Sequence, residues 1–281
     1  MNNIKKLLLF SGIFLILVSV TFAGTMTTEK MTIQNKERTY LVYLPTNYVT
    51  TKTYPLVFMF HGLGGTAAGA AGDSYGITQL ADQKEFIAVF PESLTIPPKD
   101  FKLLWYSYPA YDLPKGYTST KRWDIAHIQA SNRCASQDLD FVKSMITTIG
   151  SKYKISADHV YFVGHSYGAL FSYYASMCMP DKVTAFASHS GGLVKYFIYT
   201  FPINAVDARK NASLQVPGLL ISSTDDPVMP YSWTTALQKE LTSKGHTNQL
   251  ITLTGMGHNW DKSRDEAIWN YFVANSKPLP A

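Results

Sequence analysis

Short runs of apolar residues alternate with longer stretches of helical periodicity along most of the chain. The run at 56–60 is continuously apolar, which is typical of a strand buried on both faces. The pattern predicts strands at 39–44, 56–60, 86–90, 160–163, 185–188, 219–222 and 249–253. It predicts helices at 73–84, 136–153, 167–179, 232–243 and 265–272. Asp73 is a candidate cap for the first of these helices.

This order of elements predicts an α/β protein with a doubly wound, mostly parallel sheet and helices on both faces. Ligands of such sheets bind beyond the carboxyl ends of the strands, so function is expected in the turns that follow the strands. The composition, 46% hydrophobic and 16% charged residues, excludes a disordered chain or a coiled coil. A net charge of +5 is too small, and too scattered, to indicate nucleic-acid binding.

The N-terminal segment 1–23 has the pattern of a secretory signal peptide. Lys5 and Lys6 precede an apolar run at 7–20, and the segment ends on residues suited to cleavage. An uncleaved anchor is the alternative, but the run is shorter than the about 20 residues that a membrane span needs. We therefore expect a leader that is removed, one domain over 24–281, no membrane span after cleavage, and a secreted or periplasmic protein.

The strongest chemical signal is the segment 164–168, which reads Gly-His-Ser-Tyr-Gly. It directly follows one predicted strand and opens a predicted helix, which is the context of a nucleophile elbow. The flanking glycines make room for a sharp turn that would expose the Ser166 hydroxyl above the sheet. A structural turn serine is the alternative. His165 is expected to point away from Ser166 and to pack.

A serine hydroxyl is a weak nucleophile that needs a base, itself oriented by a third group. In chains with this elbow the acid follows the serine and the histidine comes last. His258 follows the last predicted strand in a glycine-rich turn, so it is the expected general base. The acid is Asp225 or Asp226, and the spacing to the following prolines favours Asp226. His246 precedes the last strand and is expected in a solvated loop.

An oxyanion hole needs two backbone N–H groups aimed at the developing negative charge. The segment 61–65 reads His-Gly-Leu-Gly-Gly and follows the strand at 56–60, as in lipases and esterases. We expect the amides of Leu63 and Tyr167 to form the hole and His61 to brace the loop. A plain flexible turn is the alternative.

The stretch 96–133 shows little regular pattern and is rich in aromatic residues. Long insertions of this kind are functional loops or disordered segments, and so many rings argue against disorder. Trp105, Tyr106 and Trp123 are candidates to line a cleft for an aromatic acyl group or a sugar ring, with buried core rings as the alternative. The sequence contains no phosphate-binding loop, dinucleotide fingerprint or zinc motif, so we expect no cofactor and no metal.

From Arg38 onwards the chain resembles secreted α/β-hydrolase esterases of the polyhydroxybutyrate depolymerase and feruloyl esterase type. The segments that carry the resemblance are 55–57, 61–62, 137–142, 164–168, 226–230 and 257–260. Cys134 and Cys178 are the only cysteines, and two free thiols are one reading of them. Members of this family often carry cysteines at these two places, so the resemblance implies a disulfide between them.

These observations predict a secreted serine carboxylic-ester hydrolase that acts through Ser166, Asp226 and His258 and through an acyl-enzyme. The expected partner is an ester substrate, small or polymeric. The family resemblance implies polyester, hydroxycinnamoyl or acetyl esters. A secreted serine peptidase of the same fold and a catalytically silent binding protein on a hydrolase scaffold are the alternatives.

Overall fold

The structure, a computed structural model, describes residues 24–96, 120–125, 134–193 and 207–278. The expected leader lies outside these residues, and so do Trp105 and Tyr106 of the insertion. The division of the chain into a leader and one domain over 24–281 stays a prediction.

The described strands form one large sheet and one small one. They are β1 Thr25–Ile33, β2 Lys36–Leu44, β3 Tyr54–Phe60, β4 Ile87–Pro91, β5 Leu94–Ile96, β6 Thr120–Arg122, β7 Ile155–His165, β8 Ala185–His189, β9 Gly218–Ser223 and β10 Asn248–Leu253. The large sheet has eight strands in the order β1-β2-β4-β3-β7-β8-β9-β10. β1 and β2 are antiparallel to their neighbours, and every pair from β4 to β10 is parallel. The predicted mostly parallel sheet is therefore confirmed.

Helices cover both faces of this sheet, as predicted. They are α1 Ala67–Ala70, α2 Ile77–Lys84, α3 Gln137–Lys152, α4 Tyr167–Cys178, α5 Tyr231–Ser243 and α6 Asp265–Ala274. α3, α4 and α5 contribute to one hydrophobic cluster, and α1, α2 and α6 contribute to the other. Among the described helices, none is both long and apolar enough to cross a membrane.

The start of α2 differs from the prediction. The helix begins at Ile77, after Gly76, whose φ of 71° places it in the left-handed region. Asp73 is not its cap, because the Asp73 carboxylate instead accepts a hydrogen bond from the Gln79 side chain at 2.6 Å. Glycine is favoured at such a turn, since it has no Cβ to clash in the left-handed conformation.

Part of the expected irregular insertion is regular. β5 and β6 pair antiparallel in a small separate sheet. A buried ion pair between Arg38 and Asp138 lies beside this region, and Asp138 also accepts the amide of Asp124 at 2.5 Å. The Arg38 guanidinium donates to the Glu92 carbonyl oxygen as well, at 2.9 Å. These contacts fix one end of the small sheet, where Leu94 pairs with Arg122, to β2 and α3. Breaking the buried pair would leave an uncompensated charge in the core.

A disulfide joins Cys134 and Cys178, whose Cα atoms lie 5.4 Å apart. The pairing that the family resemblance implied is therefore confirmed. The bond closes a loop of 44 residues that contains α3, β7 and the segment around Ser166.

Replacing both cysteines by alanine should lower the free energy of unfolding by about 4 kcal/mol. The cross-link removes conformational entropy from the unfolded chain, and the closed loop spans 44 residues. Urea unfolding of the oxidised wild type and of the Cys134→Ala/Cys178→Ala variant measures the difference. The wild type under reducing conditions is the control and should match the variant. A loss below about 1 kcal/mol would contradict this prediction.

Candidate active site

Ser166 stands at a sharp turn between β7, which ends at His165, and α4, which begins at Tyr167. Its φ of 57° and ψ of −120° are uncommon for a residue with a Cβ. Such strain persists only where the surrounding structure holds it, and it concentrates at functional sites. Here the Ser166 amide donates to the carbonyl oxygen of His189 at 3.0 Å, which ties the turn to the neighbouring strand β8.

The two glycines around this turn are required by close backbone contacts. A Cβ added at Gly164 would lie 2.1 Å from the carbonyl oxygen of Gly168. A Cβ at Gly168 would lie 2.1 Å from the carbonyl oxygen of Phe60 in β3. Real Cβ atoms do not approach oxygen so closely, so only glycine fits at either position without a shift of the main chain.

Three distant side chains meet at the carboxyl ends of the parallel strands. His258 Nε2 lies 2.8 Å from Ser166 Oγ. His258 Nδ1 lies 2.8 Å and 3.0 Å from the two carboxylate oxygens of Asp226. When Nδ1–H donates to the carboxylate, Nε2 keeps a lone pair that faces the serine hydroxyl. The arrangement can therefore take the proton of Ser166 Oγ during a nucleophilic attack.

The Asp226 side chain is fully buried and held by the main chain. Its Oδ1 accepts the amides of Val228 and Met229, at 2.8 Å each. These bonds fix the carboxylate towards His258. The buried carboxylate thus orients the half-buried imidazole from its protein side.

Asp225, the other candidate acid, has a different role. Its Oδ1 accepts the Gly255 amide at 3.0 Å and the hydroxyl of Ser223. The Ser223 hydrogen bond is the main reason that the pKa of Asp225 lies below its usual range. Asp225 thus braces the turn before His258, and the structure places Asp226, the residue favoured by the sequence, against the imidazole.

The glycine-rich loop after β3 lies against Ser166. A Cβ added at Gly62 would lie 3.3 Å from the Ser166 Cβ and 3.8 Å from its Oγ. The Gly64 amide donates to the Lys121 carbonyl at 2.8 Å, and the Gly65 amide donates to the Gly62 carbonyl at 3.0 Å. The Leu63 amide, by contrast, donates to no other described residue.

The second candidate oxyanion donor is the amide of Tyr167. It is the first residue of α4, where backbone N–H groups have no acceptor within the helix. The positive end of the helix dipole also favours negative charge there. The amides of Leu63 and Tyr167 therefore belong to segments that border the Ser166 hydroxyl on two sides, as the sequence predicts.

His61 braces the loop from within the core. Its Nδ1–H donates to the Gly62 carbonyl at 2.7 Å, and its Nε2 accepts the Ser93 amide at 3.2 Å. Burial lowers the pKa of His61, so the ring stays neutral. This placement agrees with the expected bracing role.

The structure corrects the interpretation of Trp123 as a substrate-binding residue. Trp123 is 1% exposed, and its ring stacks on Phe171 with centroids 4.8 Å apart. Its indole N–H donates to the His61 carbonyl at 2.8 Å. Trp123 is therefore a core ring beneath the glycine-rich loop, the alternative that the sequence left open. The expected roles of Trp105 and Tyr106 stay predictions.

Two imidazoles and two further rings gather beside the candidate base. The ring of His165 lies 5.2 Å from that of His258 and 5.7 Å from that of His189. Trp260 stacks on His189 at 4.6 Å, and the Tyr75 hydroxyl lies 3.2 Å from His165 Nδ1. His165 packs, as expected. Among the described residues, no group of three or more side chains is placed to hold a metal ion.

Burial lowers the pKa of His165 to about 3 and that of His189 to about 4. Both rings are therefore neutral at neutral pH. A charged imidazole at this distance would oppose a positive charge on His258. The neutral pair therefore places no positive charge beside His258.

Two histidines of the chain differ from what the sequence indicates. His246 is 3% exposed rather than solvated, because its Nδ1 accepts the Val216 amide at 3.1 Å inside the fold. His189 was not identified as a site residue. The only signal for it is its position at the carboxyl end of β8, next to the strand that carries Ser166.

Comparison with known families gives two matches that together cover most of the chain. A family model described as "Putative esterase" matches residues 31–195, which contain Leu63 and Ser166. A model described as "TAP-like protein" matches residues 198–279, which contain Asp226 and His258.

Two curated proteins are distant relatives. A protein of Acanthamoeba polyphaga mimivirus, described as an uncharacterized hydrolase, is 24% identical over 265 residues, which cover 89% of this chain and 80% of the relative. A bifunctional acetylxylan esterase/xylanase of Neocallimastix patriciarum is 25% identical over 213 residues, which cover 76% of this chain. The matched region spans 25% of the length of that second protein.

Solved structures support the fold. The ferulic acid esterase of the anaerobic fungus Anaeromyces mucronatus superposes with a TM-score of 0.62 over 92% of both chains, at 16% identity. Identity at this level shows the fold alone. The esterase family model, in contrast, matches more than half of the chain. The chain therefore belongs to the esterase family that this model describes, and it is a carboxylic ester hydrolase with an α/β-hydrolase fold.

Proposed function

We propose that this protein is a secreted serine esterase that works through a Ser166–His258–Asp226 triad and an acyl-enzyme. The observation that carries the proposal is the unbroken line of hydrogen bonds from Ser166 Oγ through the His258 ring to the Asp226 carboxylate. The glycine-rich loop lies directly beside the serine.

In the first half-reaction Ser166 Oγ attacks the ester carbonyl carbon while His258 Nε2 takes the proton of the serine hydroxyl. The carbonyl oxygen becomes an oxyanion, which the amides of Leu63 and Tyr167 stabilise. Asp226 orients the imidazole and offsets the positive charge that forms on it. When the tetrahedral intermediate collapses, the C–O bond of the ester breaks and His258 gives the proton to the leaving alcohol.

In the second half-reaction water replaces the alcohol. His258 takes a proton from water, and the resulting hydroxide attacks the acyl carbon. The same two amides hold the second oxyanion. The bond from the acyl carbon to Ser166 Oγ then breaks, His258 returns the proton to Oγ, and the carboxylic acid leaves.

For the substrate we propose acetyl or hydroxycinnamoyl esters of polysaccharides. The Neocallimastix relative is described as an acetylxylan esterase and the Anaeromyces structure as a ferulic acid esterase. We expect Trp105 and Tyr106, in the stretch 96–133, to stack on sugar or cinnamoyl rings. Polyesters, which the family resemblance also implies, are the competing substrate class.

A substrate panel tests this choice. The full-length mature protein should turn over acetylated xylan or methyl ferulate with a kcat/KM at least about tenfold above that for polyhydroxybutyrate. Hydrolysis of polyhydroxybutyrate alone would replace the proposed substrate class by polyesters. Cleavage of peptide amides alone would make the protein a peptidase. Absence of all turnover, together with no labelling of Ser166 by a fluorophosphonate, would indicate a binding protein.

We also propose export, on the strength of the leader pattern at 1–23 and of the disulfide, because disulfides persist in oxidising compartments. N-terminal sequencing of the protein recovered from the native host should find a chain that begins at Gly24. A chain recovered inside the cell with Met1 intact would contradict export. Replacing Lys5 and Lys6 by glutamate should retain the protein in the cell, whereas replacing Lys36 by glutamate should not.

A further inference from the structure

His189 connects the two reacting halves of the site. It is the last residue of β8, which lies in the sheet directly beside β7, and it is fully buried. Its carbonyl oxygen accepts the amide of Ser166 at 3.0 Å. The main chain of His189 therefore holds the turn that carries the candidate nucleophile.

The ring of His189 holds the loop of the candidate base. Its Nε2 lies 3.0 Å from the amide nitrogen of Asp261, three residues beyond His258. A backbone N–H can only donate, so Nε2 must carry a lone pair and the ring proton must lie on Nδ1. That Nδ1–H donates to the Ser190 hydroxyl at 3.1 Å. The contacts thus require one neutral tautomer of His189.

The loop that carries His258 is tied to the fold on both sides of the histidine, and on the near side the Met256 amide donates to the Ser223 hydroxyl at 3.3 Å. Gly255 and Gly257 have φ angles of 73° and 56°, and a Cβ added at either would meet no atom within 4 Å. Before His258 the loop is tied by the Gly255 amide, which donates to Asp225. After His258, the hydrogen bond from the Asp261 amide to His189 ties the loop to the sheet.

A second contact supports this attachment. The indole of Trp260 stacks on the His189 ring at 4.6 Å, with an angle of 28° between the planes. The indole N–H of Trp260 donates to Asp265 Oδ1 at 3.0 Å, which anchors the ring to the start of α6. The His189 ring therefore contacts the loop twice, through the backbone amide of Asp261 and through the indole ring of Trp260.

The backbone after His189 is strained in support of this geometry. Ser190 has a φ of 53°, in the left-handed region that residues with a Cβ rarely adopt. Its amide donates to the Ile221 carbonyl of β9 at 2.8 Å. Strain of this kind persists where several contacts hold it in place. The turn at Ser190 keeps its hydroxyl within reach of His189 Nδ1.

We propose that His189 is a positioning residue that sets the distance between Ser166 and His258. Its main chain holds the nucleophile turn, and its neutral imidazole accepts the Asp261 amide and so holds the loop of the base. The inference rests on the proposed function and adds a residue to it. A shift of about 1 Å between reacting groups can cost about 100-fold in rate, so loss of the tether should slow turnover.

Two variants separate the acceptor role from packing. His189→Leu fills similar space but cannot accept the Asp261 amide, whereas His189→Gln offers a carbonyl oxygen near the position of Nε2. Turnover of p-nitrophenyl acetate is measured per active site, with sites counted by a fluorophosphonate. We expect His189→Leu to lower kcat by about 10- to 100-fold with KM within about threefold of the wild type. The His189→Gln variant should keep a kcat close to that of the wild type.

Either of two results would overturn the proposal. One is a folded His189→Leu variant with the kcat of the wild type, and the other is a folded His189→Gln variant as slow as His189→Leu. Ser166→Ala is assayed in parallel. If Ser166→Ala keeps turnover, the proposed function fails. If it is inactive while His189→Leu is unaffected, only the role of His189 fails.

A measurement on the wild type does not depend on how the variants fold. Nitrogen-15 NMR of histidine-labelled protein at neutral pH reports which ring nitrogen of His189 carries the proton. The signal of His189 is assigned by its loss in His189→Gln. If that variant does not fold, sequential assignment of the wild type replaces it. A proton on Nδ1 and a lone pair on Nε2 are expected. A proton on Nε2 would remove the acceptor for Asp261 and overturn the proposal.

Discussion

Replacing Ser166 by alanine should lower kcat/KM for an ester substrate by about 10⁵-fold or more. The change removes the hydroxyl oxygen that we propose as the nucleophile, while the amides of Leu63 and Tyr167 stay in place. Residual turnover should therefore come from oxyanion stabilisation and substrate binding alone. Steady-state kinetics on p-nitrophenyl acetate, together with thermal unfolding, measures the effect.

Ser176→Ala is the matched control for this experiment. Ser176 is also buried in α4, and its hydroxyl donates to the carbonyl of Ser172 at 2.7 Å. It lies away from the carboxyl ends of the strands, so its loss should cost about 1 kcal/mol of stability and leave kcat within about threefold. A Ser166→Ala variant that is folded and as active as this control would show that another group is the nucleophile.

Replacing Asp226 by asparagine should lower kcat by about 10⁴-fold while the fold is retained. The carboxylate accepts the Nδ1–H of His258 and so leaves Nε2 free to take the serine proton. An amide group can donate to Nδ1 instead, which would favour the tautomer with its proton on Nε2. That tautomer cannot act as the base towards Ser166. Kinetics at several pH values, with unfolding curves, test this prediction.

Asp225→Asn provides the matched control. The neighbouring carboxylate accepts the Gly255 amide through Oδ1, and an asparagine keeps an oxygen at that position. We therefore expect kcat of Asp225→Asn to stay within about threefold of the wild type. An equal loss of kcat in both variants would mean that neither carboxylate alone orients His258. A larger loss of kcat in Asp225→Asn than in Asp226→Asn would make Asp225 the acid of the triad.

Most of the fold follows from local patterns in the sequence. Buried parallel strands read as continuous apolar runs, and every strand predicted from such runs is present. The sequence does not predict β1, because Thr25–Ile33 is an edge strand with no fully buried residue. Its many polar residues leave no continuous apolar run. α2 begins later than predicted because the chain turns at Gly76, a left-handed position that periodicity does not register.

The residues of the candidate site that directly follow a strand could be predicted from the sequence. Ser166, Asp226 and His258 each follow a strand, and parallel strands bring such turns to one edge of the sheet. Trp123 was misjudged because an aromatic residue in an irregular segment can face either the core or a cleft. His189 was not predicted, because its role depends on distances across the sheet to Ser166 and Asp261.

Trapping the acyl-enzyme tests whether Ser166 is the nucleophile. The wild type is mixed with a p-nitrophenyl ester, quenched with acid before steady state, digested, and analysed by mass spectrometry. We expect the acyl mass on the peptide that contains Ser166, at up to one group per chain, and we expect it to disappear as turnover completes. Turnover with no acyl group on the protein, or with the group on another residue, would contradict this expectation.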